Sequence, residues 1–170
     1  MHAVPKFLAL GLAVFALLSS KESYAQEHSY QSVNFPDRFI RHRNSLGFIE
    51  QITDDQAAKD AVFVAVPGLA GRCHSLEAKN FPGSFLRHQN SRLKLSRADN
   101  SQLFREDATF CFRDGLVGRG FSFESVNFPN QFIRHRDFEL MISPNDGTDG
   151  FKRDATFIEG SPARAPGKFD

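Results

Sequence analysis

Apolar and polar residues alternate in short bursts along this chain, and the bursts recur at a nearly fixed interval. Phe121 and Phe123 flank a polar residue, and Tyr30 with Ser32 and His74 with Leu76 hold the equivalent places upstream. Alternation with a period of two sends successive side chains to opposite faces and predicts β-strands. Each burst leads into an Asn-Phe-Pro turn, where proline fixes the backbone and is excluded from a central strand. Phe39-Ile40-Arg41-His42 follows as a second strand, with Phe39 and Arg41 facing one way and Ile40 and His42 the other. Leu93/Leu95 and Leu140/Ile142 mark a third alternating strand. The stretches from Asp107 to Phe112 and from Asp154 to Phe157 predict a fourth, entered from a polar loop. No stretch sustains a helical period, and the pairs Gly68-Leu69 and Gly115-Leu116 punctuate the ends of the units.

The pattern is written three times. Residues Ser32 to Arg43, Ala78 to Gln89 and Ser125 to Arg136 carry one motif, and the first and third copies agree at ten of twelve positions. Asn34, Asn80 and Asn127 set the spacing at 46 and then 47 residues. Units of about 47 residues at 28–71, 72–118 and 119–160, with four short strands each, predict an all-β chain and specifically a β-trefoil with pseudo-threefold symmetry. A three-bladed propeller falls below the usual blade number, and an open array needs more repeats and capping units. The triply recurring phenylalanines (Phe35/81/128, Phe39/85/132 and Phe63/110/157) are expected to fill the shared core. For Phe35, Phe81 and Phe128 the alternative is the lining of a ligand pocket.

Composition adds the compartment. Lys6 precedes an apolar run from Phe7 to Leu18, and Ser23-Tyr24-Ala25 supplies a small-x-small cleavage site. That reads as a secretory signal over 1–25, too short to span a membrane. Residues 26–160 then form the folded domain, and the Ser/Pro/Ala-rich tail at 161–170 is expected to be disordered. After cleavage, 19 basic and 19 acidic side chains balance, which leaves no electrostatic footprint for nucleic acid or anionic lipid. The expected product is a secreted or extracytoplasmic monomer, off the membrane once the signal is removed. Cys73 and Cys111 open and close the second unit, and an even pair in an exported protein reads as a disulfide.

The Asn-Phe-Pro-x-x-Phe-[Ile/Leu]-Arg-His motif and the Asp-Ala-Thr-Phe motif (Asp107 to Phe110, Asp154 to Phe157) resemble the arabinose-binding domain of the arabinofuranosidase B family, the family 42 carbohydrate-binding modules. The resemblance covers essentially all of 28–160. It implies a β-trefoil whose lobes each offer a pocket for an arabinofuranose side chain of arabinoxylan or arabinan. Such a module usually rides on a hydrolase, and no catalytic domain is expected here.

The recurrent polar residues are the candidate sugar contacts. His42, His88 and His135 hold one position, and an imidazole near its ordinary pKa both donates and accepts. The competing reading packs each histidine under a turn. A metal site requires the three rings to meet on the pseudo-threefold axis, and neither a metal nor a cofactor is expected. Asp60, Asp107 and Asp154 are the natural clamp for adjacent sugar hydroxyls, or else ion-pair partners of Arg41, Arg87 and Arg134. Asp99 and Asp146 in the preceding loop are secondary candidates, with their first-unit equivalent blurred across Asp54-Asp55. Asn80 and Asn127 are also secondary; like Asn34 they are expected to bond their own backbone before the Phe-Pro turn.

Glycoside hydrolysis needs two carboxyl groups about 5–10 Å apart. The recurrent acids fall one per unit, and Glu106 and Asp107 are expected on opposite faces of a strand. No nucleophile elbow, Walker loop or zincin motif is present. The leading reading is therefore non-catalytic binding of α-L-arabinofuranosyl branches of hemicellulose. The alternatives are an arabinofuranosidase or an accessory part of one, and a protein-binding trefoil acting in inhibition or adhesion. The first unit has Ala57-Ala58 where the others have Phe104-Arg105 and Phe151-Lys152, and Val62 where they have threonine. The expected ranking for binding is second, third, first.

Overall fold

The computed structural model describes residues 26–167. The expected signal segment lies outside the described residues. Among the described residues, twelve strands and three short helices follow one order three times over. The first segment comprises β1 (Glu27–Ser32), β2 (Phe39–Arg43), β3 (Leu46–Glu50), α1 (Asp55–Asp60) and β4 (Phe63–Pro67). The second comprises β5 (His74–Ala78), β6 (Ser84–Gln89), β7 (Arg92–Arg97), α2 (Gln102–Asp107) and β8 (Phe110–Asp114). The third comprises β9 (Phe121–Ser125), β10 (Gln131–Arg136), β11 (Glu139–Pro144), α3 (Asp149–Asp154) and β12 (Phe157–Gly160). Among the described residues no helix is long and apolar enough to cross a membrane.

All the strand pairings are antiparallel, and six strands close into a ring: β1 pairs β4, β4 pairs β5, β5 pairs β8, β8 pairs β9, β9 pairs β12, and β12 returns to β1. Closure leaves the ring without an exposed edge. The hairpins β2–β3, β6–β7 and β10–β11 pair with one another in a second ring of three.

Equivalent apolar residues meet inside. Phe63, Phe110 and Phe157 are fully buried, as are Tyr30, Leu76 and Phe123, and Ile40, Leu86 and Ile133. Where the second and third hairpins carry Leu93 and Leu140, the first carries Gly47. A Cβ on Gly47 would lie 3.1 Å from the Leu93 Cβ and 3.3 Å from Leu140 Cδ1, so the centre holds two leucines and not three side chains. The carbonyls of those same three residues converge, and Arg92 Nη1 donates to Gly47 O (2.6 Å), Leu93 O (3.1 Å) and Leu140 O (2.5 Å). One guanidinium thus satisfies backbone acceptors from all three hairpins.

Several expectations change here. Asp60, Asp107 and Asp154 do not head strands; each is the last residue of a six-residue helix. Asp54, Ser101 and Thr148 cap those helices by accepting from the backbone N–H three residues on. Glu106 and Asp107 are therefore neighbours on α2 rather than on opposite faces of a strand. Phe85 and Phe132 leave the central core to pack beneath α2 and α3 with Phe104 and Phe151. Phe81 and Phe128 are 50 % and 45 % exposed, so these two Asn-Phe-Pro rings are surface groups and not core, whereas Phe35 is partly buried against the central core. In the tail, residues 161–167 are described, and Ala163 N donates to Ser29 Oγ at 2.9 Å. That bond repeats Leu69 N to Ser75 Oγ and Leu116 N to Ser122 Oγ, both 3.1 Å, so the tail is anchored to the first segment as the ends of the first and second segments are anchored to the next.

Candidate functional site

The motif residues assemble across the junctions between segments. Asp107, at the end of α2, receives Arg87 Nη2 on Oδ2 at 2.9 Å and Asn127 Nδ2 on Oδ1 at 2.9 Å. A carboxylate only accepts, so it fixes the amide orientation of Asn127 and turns Asn127 Oδ1 toward His88, whose Nε2 donates to it at 3.0 Å. Ser125 Oγ gives the same oxygen a second hydrogen bond at 2.8 Å. Arg41–Asp60–Asn80–His42 repeats the chain with 3.0, 2.8 and 3.0 Å contacts. Arg134–Asp154–Asn34–His135 closes the cycle with 2.5, 2.8 and 2.9 Å contacts. In each relay the asparagine comes from the next segment around the ring.

This arrangement corrects the asparagine reading. Asn34, Asn80 and Asn127 do not turn back on their own backbone; their amides join the aspartate of one segment to its histidine. It also settles the arginine partners, since Arg41, Arg87 and Arg134 each pair with the aspartate of their own segment. The histidines are largely buried, at 4 %, 3 % and 4 % exposure for His42, His88 and His135. Each packs edge-on against a ring of the Asn-Phe-Pro turn: Phe81 at 5.4 Å, Phe128 at 5.3 Å and Phe35 at 5.3 Å. Asp99 and Asp146 are exposed, and hydrogen bonding from the hydroxyls of Ser101 and Thr148, followed by that from their backbone N–H groups, holds both below the ordinary carboxylate value.

Two relays border open cavities. One of about 580 Å³ is lined by His42, Asp60, Phe81 and Ser45. One of about 390 Å³ is lined by His88, Asp107, Asn127, Phe128, Ser91 and Leu103. Each combines an exposed ring with a carboxylate already gripped by an arginine, a surface suited to a small ring that is apolar on one face and hydroxylated at its rim. The carboxylates differ in remaining capacity. Asp60 Oδ1 takes a further bond from Gln56 Nε2 at 2.7 Å, whereas Leu103 occupies the place of Gln56 in the second cavity and leaves Asp107 freer. Sequence reasoning missed Ser45, Ser91 and Leu103, which lie outside the recurrent motif.

Burial, above all, holds His88 and His135 below the ordinary histidine pKa. As pH falls, the unfolded chain protonates first, so the stability supplied by the two neutral rings is complete above pH about 6.5 and is lost below it. We expect the melting temperature to be flat above pH 7 and to decline between pH about 6.5 and 5, at no more than about 2.7 kcal/mol per pH unit for two protons. Calorimetry of the wild type and of His88→Asn checks this; the variant should show the shallower decline.

With the geometry in hand, comparison places the chain. It matches the alpha-L-arabinofuranosidase B (ABFB) domain family over residues 28–158, with an overlapping match at 14–65. The chain belongs to that family, which is the family 42 carbohydrate-binding module. Among solved structures it is similar to an arabinofuranosidase complexed with arabinofuranosyl-alpha-1,2-xylobiose, at 30 % identity and a TM-score of 0.75 over 81 % of this chain. It is also similar to a GH54 arabinofuranosidase soaked with a cyclic sulfate inhibitor, at 29 % identity and a TM-score of 0.76 over 81 % of this chain. It spans only 31 % of each of those two chains. A structure described as the BEL beta-trefoil aligns at a TM-score of 0.60 with 12 % identity, over 79 % of this chain and 91 % of that one. Comparison with curated protein sequences gives no significant match.

Proposed function

We propose that the chain is an exported β-trefoil that binds α-L-arabinofuranosyl side chains of arabinoxylan- or arabinan-type hemicellulose without cleaving them. The observation that carries this reading is the pair of cavities in which an exposed Phe81 or Phe128 ring stands beside an arginine-held Asp60 or Asp107. Family membership narrows the sugar to arabinofuranose. In each cavity the furanose lays its carbon face on the phenylalanine, and adjacent hydroxyls donate to lone pairs the arginine and asparagine leave free. The histidine acts one step back: by donating to the asparagine Oδ1 it holds the amide that orients the carboxylate. Asp107, which lacks the extra glutamine bond of Asp60, makes the second segment the stronger site.

A monosaccharide offers few contacts, so each cavity binds weakly, while two on one rigid body raise avidity on a branched polymer. Titration with arabinoxylan and with the same xylan stripped of its arabinose tests the reading. Binding only to the branched polymer, with no arabinose released by the purified chain, is the expected result. Equal binding to both polymers would refute it.

A further inference from the structure

The three hairpin turns hold the same backbone, and the third departs from the other two in its side chains, most of all at the second residue. Their first residues, Asn44, Asn90 and Asp137, have φ of +51°, +51° and +50°; their second residues, Ser45, Ser91 and Phe138, have φ of +61°, +63° and +65°. This is the two-residue turn in which both residues are left-handed and glycine is favoured at the second. A bulky residue there is a conformational outlier that needs compensation from its surroundings.

The compensation is visible. The Phe138 ring packs edge-on against Phe35 with centroids 5.2 Å apart, and the Arg38 guanidinium carbon lies 3.9 Å from its centroid. Phe35, from the first segment, is the counterpart of Phe81 and Phe128 at the third relay, and Arg38 stands where the two open cavities have Ser84 and Gln131. The ring-to-ring contact locates the second turn residue directly across from the Asn-Phe-Pro ring. With serine there, the gap between them is the cavity; with phenylalanine, the gap is filled. Phe35 is accordingly partly buried, whereas Phe81 and Phe128 are exposed.

The polar half of the third site is intact. Arg134, Asp154, Asn34 and His135 keep the relay distances of the other two. Asp154 is more open than its counterparts, at 20 % side-chain exposure against 7 % and 6 %, and Gly150 holds the place of Gln56 and Leu103. What the third segment lacks is a free ring face. Resting on the carbohydrate reading above, we infer that Phe138 is a built-in plug of the third cavity, and that the protein carries two working sugar sites in the first and second segments. The polymer it suits presents branches in pairs to two adjacent cavities rather than to three around the ring.

The test follows the ring protons of His42, His88 and His135 by NMR during titration with methyl α-L-arabinofuranoside. In the wild type, His42 and His88 should shift while His135 stays still, with calorimetry giving two sites. Phe138→Ser, whose backbone is already tolerated by Ser45 and Ser91, should make His135 respond and add a third site. Arg38→Ser alone, which leaves the plug in place, should keep His135 silent. A His135 response in the wild type or in Arg38→Ser overturns the inference, as does a silent His135 in folded Phe138→Ser while His42 and His88 still shift. If no histidine shifts in any of the proteins, it is the carbohydrate reading that falls, and the two failures are told apart.

Discussion

Asp107→Ala is expected to empty the second cavity of sugar and to lower stability by about 3–5 kcal/mol, the usual consequence of stranding one partner of a buried ion pair. The Arg87 side chain is 11 % exposed and would keep its charge with no carboxylate opposite. Asn127 would lose the acceptor that fixes its amide, and His88 would then face an amide free to turn over. Asp107→Asn should not rescue either property, because one of its two positions presents N–H groups to Arg87 or to Asn127, both of which are donors. Denaturant melts give the stability. Arabinoxylan titration at a temperature where the variant is folded gives the binding, with the shift of His42 as the internal control for the first cavity. Asp99→Ala is the matched comparison. Its carboxylate is exposed and outside both cavities, so binding should be unchanged and stability little altered. Undiminished binding by folded Asp107→Ala would remove the carboxylate from the site.

The expectations that succeeded were those carried by spacing. Strand positions and the family follow from residues that recur at one interval, because equivalent residues met equivalent neighbours, while the pairing of Cys73 with Cys111 followed from an even cysteine count in a chain expected to be exported. The errors came where a local signal was too short or depended on a partner remote in sequence. Six-residue helices span fewer than two turns, so α1, α2 and α3 show no periodicity. The usable sign was the cap, since Asp54, Ser101 and Thr148 stand at equivalent places and all favour a helix N-terminus. The asparagines were read locally, but Asn34 reaches Asp154 across 120 residues of chain, a contact that only ring closure by β1 and β12 creates. Phe35, Phe81 and Phe128 recur as faithfully as the core residues do. Recurrence marks a shared geometric role, and it does not distinguish the inside of the barrel from the rim of a cavity. The departures from the repeat carried the information about individual lobes: Gln56 against Leu103, and Ser45 and Ser91 against Phe138.

Removal of the disulfide by Cys73→Ser with Cys111→Ser should cost about 3–4 kcal/mol and lower the melting temperature by about 10 °C. The bond closes a loop with a sequence separation of 38, and that loop contains β5, β6, β7 and α2. Freed of it, the unfolded second segment gains the conformations that the loop forbids. The magnitude has a second component. Cys73 has φ of +58°, and its third-segment counterpart is Gly120, with φ of +68°. There a Cβ would fall 2.3 Å from Phe157 O and 2.8 Å from Ile158 Cδ1, the side chain that stands opposite in place of Cys111. The third segment therefore meets the same left-handed backbone with a glycine and an isoleucine, without a covalent bond. Copying that solution, Cys73→Gly with Cys111→Ile, should recover about 1 kcal/mol relative to the double serine variant, because glycine accepts the left-handed conformation without strain and isoleucine restores apolar contact. Urea denaturation of the three proteins measures the differences. A double serine variant as stable as the wild type would show that the unfolded chain already keeps Cys73 and Cys111 close, leaving the bond nothing to constrain.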